Sequence, residues 1–185
     1  MRSDEGFAAV PRIAALRGGS REVIQSTLAE FAALGLRRGL RVAGMIEEVT
    51  DCSRGDCRSL ALRDLTTGDL ISISQDLGKG SEACNLDPAG LAAACAAVER
   101  AIEGGADFVI LSKFGKLEVA HSGLLDAFRA AIIADLPIVT AVAPSHAEAW
   151  TDFAGALFTY VEPDMSRLDA WWWAAHDGAA AIAAE

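Results

Sequence analysis

The chain has 185 residues, 52% of them apolar and 23% charged, which is enough for one domain with a substantial core and too few for two full ones. Its net charge of −10, from 16 Lys and Arg against 26 Asp and Glu, argues against a nucleic-acid partner, which would need an excess of basic residues. No apolar stretch nears the roughly 18 uninterrupted residues of a membrane span, and the start Met-Arg-Ser-Asp-Glu-Gly lacks the pattern of a secretory signal, so no membrane partner and a cytoplasmic location are expected.

Residues 1–10 read as a loose tail and residues 11–185 as a single α/β domain. Arg12 to Leu16 is a short strand, followed by the tight turn Arg17-Gly18-Gly19-Ser20, whose serine can cap a helix. From Arg21 to about Arg37, Ile24, Leu28, Phe31 and Leu34 recur at helical spacing, with Gly35 and Gly39 as the stop. Arg41 to Thr50 is a strand, and Cys57 to Asp64 with Asp69 to Gln75 flank Thr66-Thr67-Gly68 as a hairpin. Gly78 to Asp87 is a loop, and Asp87-Pro88 opens an alanine-rich helix that reaches about Glu103. Phe108 to Leu111 is a strand buried on both faces, and it gives way to a polar turn with Lys113, Gly115, Lys116 and Glu118. A helix over about 122–134, a strand from Pro137 to Val142, a helix capped by Ser145 and reaching Phe153, an edge strand from Leu157 to Val161 and a terminal helix from Arg167 complete the chain. This βαβαβ alternation implies a mostly parallel sheet.

In such sheets ligands sit beyond the carboxyl ends of the strands. Two turns there are suited to an anion. Gly18, Gly19 and Ser20 offer backbone N–H groups at a helix N-terminus, although the P-loop signature G-x-x-x-x-G-K-[ST] is absent; the alternative is a plain tight turn. Lys113 and Lys116 offer ammonium groups around Gly115, which lets a ligand approach the backbone; the alternative is a lysine paired with Glu118 on a solvated turn. Cys52, Cys57 and Cys84 could gather around a soft metal, but C-x4-C is not the usual knuckle and reduced, inert thiols are expected. Cys95 reads as core. His121, His146 and His176 share no metal-binding spacing, and His121 reads as an exposed hydrogen-bonding residue just after the turn that holds Lys113, Gly115 and Lys116. Trp171, Trp172 and Trp173 point about 100° apart on a helix, so at least one ring is exposed or meets a partner, a second copy of this chain being the usual one.

Asp107-Phe-Val-Ile-Leu-Ser-Lys-Phe-Gly-Lys-Leu-Glu118, followed by Ser122, a helix and Pro137-Ile-Val-Thr-Ala-Val142, resembles the Walker B region of the small nucleoside-triphosphatases related to P-loop kinases. In that family the strand ends in Asp-Glu-Ile-Gly-Lys-Met-Glu. Arg41-Val-Ala-Gly-Met-Ile-Glu47 and the hairpin after it resemble the same family. Here Ser112 stands where the Mg²⁺-associated Asp belongs, Lys113 replaces the adjacent Glu, and the lysine-bearing phosphate loop has shrunk to Gly18-Gly19-Ser20. Phosphoryl transfer thereby loses most of its electrostatic apparatus, and no catalytic residue is assigned.

Ile73-Ser-Gln-Asp-Leu-Gly78, the run from Gly80 to Cys84-Asn-Leu-Asp87, and Ser112-Lys-Phe-Gly-Lys116 with Glu118 are similar to an uncharacterised bacterial family often encoded beside molybdate-transport genes. Its members carry Asn at the position of Ser112 and Arg at that of Asn85. The resemblance implies a three-layer, P-loop NTPase-like α/β fold with an inserted β-hairpin. It further implies a role in molybdenum handling through an oxyanion, either molybdate-like (molybdate or tungstate) or phosphate-bearing. The expected ligand residues are Gly18, Gly19, Ser20, Lys113, Gly115, Lys116 and Glu118, with Cys84 and Asp87 nearby. Two rivals stand beside this reading: a nucleotide hydrolase or transferase that uses Lys113 and Lys116 in place of metal and P-loop lysine, and a non-catalytic interaction module that recruits a partner through the tryptophan helix.

Overall fold

The structure is a computed structural model that describes residues 10–51, 58–74 and 86–182. Its elements are β1 (Ile13–Leu16), α1 (Arg21–Arg37), β2 (Val42–Asp51), β3 (Arg58–Asp64), β4 (Leu70–Ser72), α2 (Pro88–Glu103), β5 (Phe108–Phe114), α3 (Lys116–Val119), α4 (Leu125–Ile133), β6 (Ile138–Val142), α5 (Ala147–Ala154), β7 (Phe158–Val161) and α6 (Met165–Ile182). One seven-stranded sheet has the order β4-β3-β2-β5-β6-β1-β7. The five strands from β2 to β7 in that order are parallel, and β3 and β4 are antiparallel additions beyond β2.

The central strands are apolar on both faces because helices cover both. Every residue of β1 and β6 is buried. On one face α1 and α6 bring Leu28, Phe31, Leu168, Trp171 and Trp172 against Phe108, Ile110 and Val139. On the other, α2, α4 and α5 bring Val98, Phe128 and Trp150 against Val109, Leu111 and Phe114. The result is a three-layer, P-loop-like α/β arrangement with a hairpin at one side, as expected. Trp171 and Trp172 are core residues and Trp173 is about half exposed, beside the guanidinium of Arg38.

Several local expectations need correction. Gly35 does not stop α1. It lies inside the helix, where an added Cβ would sit 2.6 Å from the Phe108 ring, so its bareness allows the helix to approach the sheet. The stop is Gly39, which adopts φ +78° just beyond the C-cap Arg38. The strand expected at 108–111 runs on to Phe114, so Ser112 and Lys113 belong to β5 and the turn begins at Gly115. Alternation explains it: Ser112 and Phe114 are buried while Lys113 points out to the sheet's carboxyl edge. The helix expected from Ser122 begins at Leu125, with the short α3 placed before it. Ser145 caps nothing, since a 3₁₀ turn over Pro144–His146 precedes α5 and His146 holds the N-cap position.

Candidate anion site

Parallel strands end at the same edge of a sheet, so the segments that follow β1, β5 and β6 and the outer half of β2 meet there. They enclose a cleft of about 920 Å³.

The first wall is the turn after β1. The Arg17 N–H donates to the Val161 carbonyl at 3.0 Å, tying the turn to β7. Gly18 then takes φ +97°, a conformation that suits glycine, and Ser20 caps α1 by accepting the Val23 N–H at 3.3 Å. The N-terminal end of α1 therefore lines the cleft beside two residues without side chains.

The second wall is the turn after β5, and its architect is Glu118. This carboxylate is only 6% exposed. One oxygen accepts the Gly115 N–H and the other the Leu124 N–H, both at 2.9 Å, so the side chain ties the start of α3 to the start of α4. Neither lysine pairs with it. Lys113 instead forms an ion pair with Glu47 on β2, while Lys116 is exposed and makes no ion pair among the described residues. An added Cβ on Gly115 would meet nothing nearer than 3.8 Å, so the protein's own packing does not demand glycine there.

Glu47 forms the floor. It is 9% exposed and bridges two cations, with one oxygen on Lys113 and the other 2.7 Å from the Arg21 guanidinium. Burial pushes its carboxyl up, and the hydrogen bonds and charges of Lys113 and Arg21 outweigh that, holding it below the usual carboxylate range. Gln25 of α1 spans the gap between floor and wall. Its amide donates to the Ser112 carbonyl at 3.1 Å, and its buried carbonyl oxygen has no partner among the described residues. Arg17, whose guanidinium lies 4.9 Å from the centre of the Tyr160 ring, and His146, beyond β6, complete the polar lining.

The structure thus brings Gly18, Gly19, Ser20, Lys113, Gly115, Lys116 and Glu118 to one cleft. Asp87 is engaged elsewhere: it caps α2 by accepting the Ala89 N–H at 3.0 Å, while its neighbours Leu86 and Leu91 line the cleft. Cys84, Cys52 and Cys57 lie outside the described residues, and among the described ones no three His, Cys, Asp or Glu side chains gather to hold a metal ion. Cys95 is buried, as expected of a core residue, and burial pushes its thiol up. His121 is exposed with φ +57° and does not line the cleft.

Sequence reasoning missed Glu47 and His146 as lining residues. Glu47 stands in a strand motif beside Glu48, and the alternation hides which of the two carboxylates turns inward; the one signal is a charged pair directly after the apolar run Val42 to Ile46. His146 follows β6 as Lys116 follows β5, and the rule that ligands sit beyond strand ends could have nominated it.

Arg17, Arg21, Lys113 and Lys116 face two carboxylates in this cleft, and both carboxylates are already engaged. Such a site can attract and orient an anion. Among the described residues it offers no acidic pair of the kind that positions Mg²⁺ for phosphoryl transfer.

A family profile described as a protein of unknown function, DUF2478, matches residues 13–171. Among curated proteins, the Molybdenum import ATP-binding protein ModC 2 of Bradyrhizobium diazoefficiens is 36% identical over 181 residues, a match that covers 93% of this chain and 20% of that protein. The chain therefore spans about a fifth of that relative's length. No solved structure matches the chain. Among the described residues no helix is long and apolar enough to cross a membrane.

Proposed function

The chain belongs to the DUF2478 family, and from that premise we propose that it is an oxyanion-binding module on a degenerate P-loop-type fold, taking a molybdate-like or phosphate-bearing anion in the service of molybdenum handling. One arrangement carries the reading. The turn Gly18-Gly19-Ser20 at the start of α1 shares a cleft with Lys116, which makes no ion pair among the described residues, and in the described lining basic side chains outnumber carboxylates. Dipole, backbone N–H groups and ammonium favour the same kind of guest. The molybdenum component is supported by the printed name of the relative, a molybdenum import ATP-binding protein, of which this chain matches a fifth. Ser112 and Lys113 in place of acids, with no lysine after Gly19, argue for binding over hydrolysis.

Calorimetric titration with molybdate, tungstate, sulfate, phosphate and ATP tests this. Molybdate or a phosphate-bearing ligand should bind at sub-millimolar concentration, and Lys116→Ala should weaken it about tenfold, a loss of about 1.4 kcal/mol. The same substitution, at an exposed position, should move folding stability by less than about 0.5 kcal/mol. If no anion binds below millimolar concentration, or if Lys116→Ala leaves affinity unchanged, the reading fails. Sustained ATP turnover lost in Lys116→Ala would favour a hydrolase instead.

A further inference from the structure

The cleft is far larger than a bare oxyanion. A tetrahedral oxyanion displaces roughly the volume of two or three waters at about 30 Å³ each, whereas the cleft measures about 920 Å³. Among the described residues the wall of the surplus space is mostly apolar. On the side away from β1, toward the hairpin and α2, its wall is built from Leu60 and Leu62 of β3, Ile73, Leu86, Leu91 of α2 and Leu124. Leu60, Leu86 and Leu91 are only partly buried, so apolar surface remains within the cavity. Leu86, Leu91 and Leu117 also border an adjoining hollow of about 550 Å³ between α2 and the start of α4, which continues the apolar wall.

Charge and apolarity adjoin within one cavity. The polar pole is Gly18, Gly19, Ser20, Lys116 and the Glu47 cluster; the apolar pole begins at Leu62, the register partner of Glu47, and among the described residues extends from there through Leu60, Leu86 and Leu91 toward the hairpin and α2. An inorganic anion would occupy the first pole and make no use of the partly buried Leu60, Leu86 and Leu91 at the second. Sites for organic ligands have the reverse design, mostly apolar walls with a few convergent polar groups that fix orientation. Gln25, whose buried carbonyl oxygen has no partner among the described residues, stands at the polar pole as an acceptor for a hydroxyl on such a ligand.

Building on the anion-binding reading above, we infer that the ligand is an amphiphilic organic anion: a phosphate or comparable oxyanion ester whose apolar body, of the size of one or two fused rings, lies against Leu60, Leu86 and Leu91. The anionic group gives orientation, and the apolar body supplies most of the affinity that distinguishes it from free phosphate.

The test compares three probes on the whole chain by calorimetry: inorganic phosphate, phenyl phosphate and 1-naphthyl phosphate. Affinity should rise along the series, with naphthyl phosphate at least tenfold tighter than inorganic phosphate. Leu91→Gln should abolish that gain while leaving inorganic phosphate affinity within twofold, which also certifies the fold of the variant. Leu60→Thr, on a different element, should do the same, so a folding failure of one variant leaves the other to decide. Equal affinity for naphthyl phosphate and inorganic phosphate overturns this inference and leaves anion binding intact. A gain that survives both leucine substitutions overturns it as well. If instead Lys116→Ala weakens none of the three probes, the anion-binding reading itself falls, and this inference with it.

Discussion

The two edges of the parallel sheet use charge in opposite ways. At the amino edge, just before β2 and β5, Arg41 and Asp107 form a closed pair: the Arg41 backbone N–H donates to the carboxylate at 2.7 Å and the guanidinium at 2.9 Å. Before β1 and β6, Arg12 likewise donates to the carbonyls of Asp135 and Ala175. Both of these cations are taken up by neighbours in space. At the carboxyl edge, among the described residues, four basic side chains and two carboxylates line an open cleft. The lesson is that one topology separates stability from recognition by placing them at opposite ends of the same strands. Substitutions at the amino edge should move folding stability, and those at the carboxyl edge should move affinity, with Glu118 as the exception.

Glu118→Ala is the sharpest way to break that division, because it should cost most in stability while sitting at the recognition edge. It leaves the Gly115 and Leu124 N–H groups without acceptors in a buried turn. At about 1–3 kcal/mol for each unsatisfied buried group, a loss of about 3 kcal/mol is expected in urea unfolding. A loss under about 1 kcal/mol would mean that water replaces the carboxylate and that the turn is not held as described.

Glu47→Gln comes next and should act through pH. The folded carboxyl lies below its ordinary value of 4.5, so its charge contributes stability above that value, and the contribution disappears as pH falls through the folded value. The native protein should therefore lose stability on acidification more steeply than Glu47→Gln in the range below about pH 4.5. Releasing Lys113 and Arg21 from their shared carboxylate should also raise phosphate or molybdate affinity. Parallel acid unfolding curves for the two proteins would contradict the ion-pair geometry.

Asp107→Ala tests the other edge. It should lower the urea midpoint by less than Glu118→Ala, since this pair is largely exposed, and it should leave anion affinity unchanged. An altered affinity would show that the two edges are coupled. The smallest effect on the fold is expected from Gly115→Ala, at under about 0.5 kcal/mol, because a Cβ there meets nothing within 3.8 Å. Calorimetry should nevertheless find weaker anion binding, since the methyl would stand where the backbone meets its guest.

Much of the fold is legible in the sequence. Helix α1 starts after Ser20 because a hydroxyl can take an N–H of the first turn, and α2 starts at Pro88 because a missing N–H is harmless there. Both are local rules. Gly35 was misread for the opposite reason: its partner is Phe108, 73 residues later, and nothing near it in the chain announces that ring. The same distance hid the roles of the charges. Glu118 reads as a partner for a lysine two or five residues away, yet it turns inward to backbone groups, while Lys113 reaches Glu47 on the neighbouring strand. Deleting the terminal helix would also be a poor test of a partner surface, because Leu168, Trp171 and Trp172 are core; Trp173→Ala is the substitution that probes the exposed ring alone.

The sequence by itself determined the layers, the parallel sheet with its added hairpin, and the two glycine-bearing turns suited to an anion. These follow from hydrophobic period and local turn chemistry, which act over a few residues. The tertiary structure decided the strand order, the union of those turns in one cleft, the use of Glu118 as a brace and Glu47 as a bridge, and the apolar wall opposite them. Each of these depends on which distant strands become neighbours, and the register of a sheet is set by packing across its whole width.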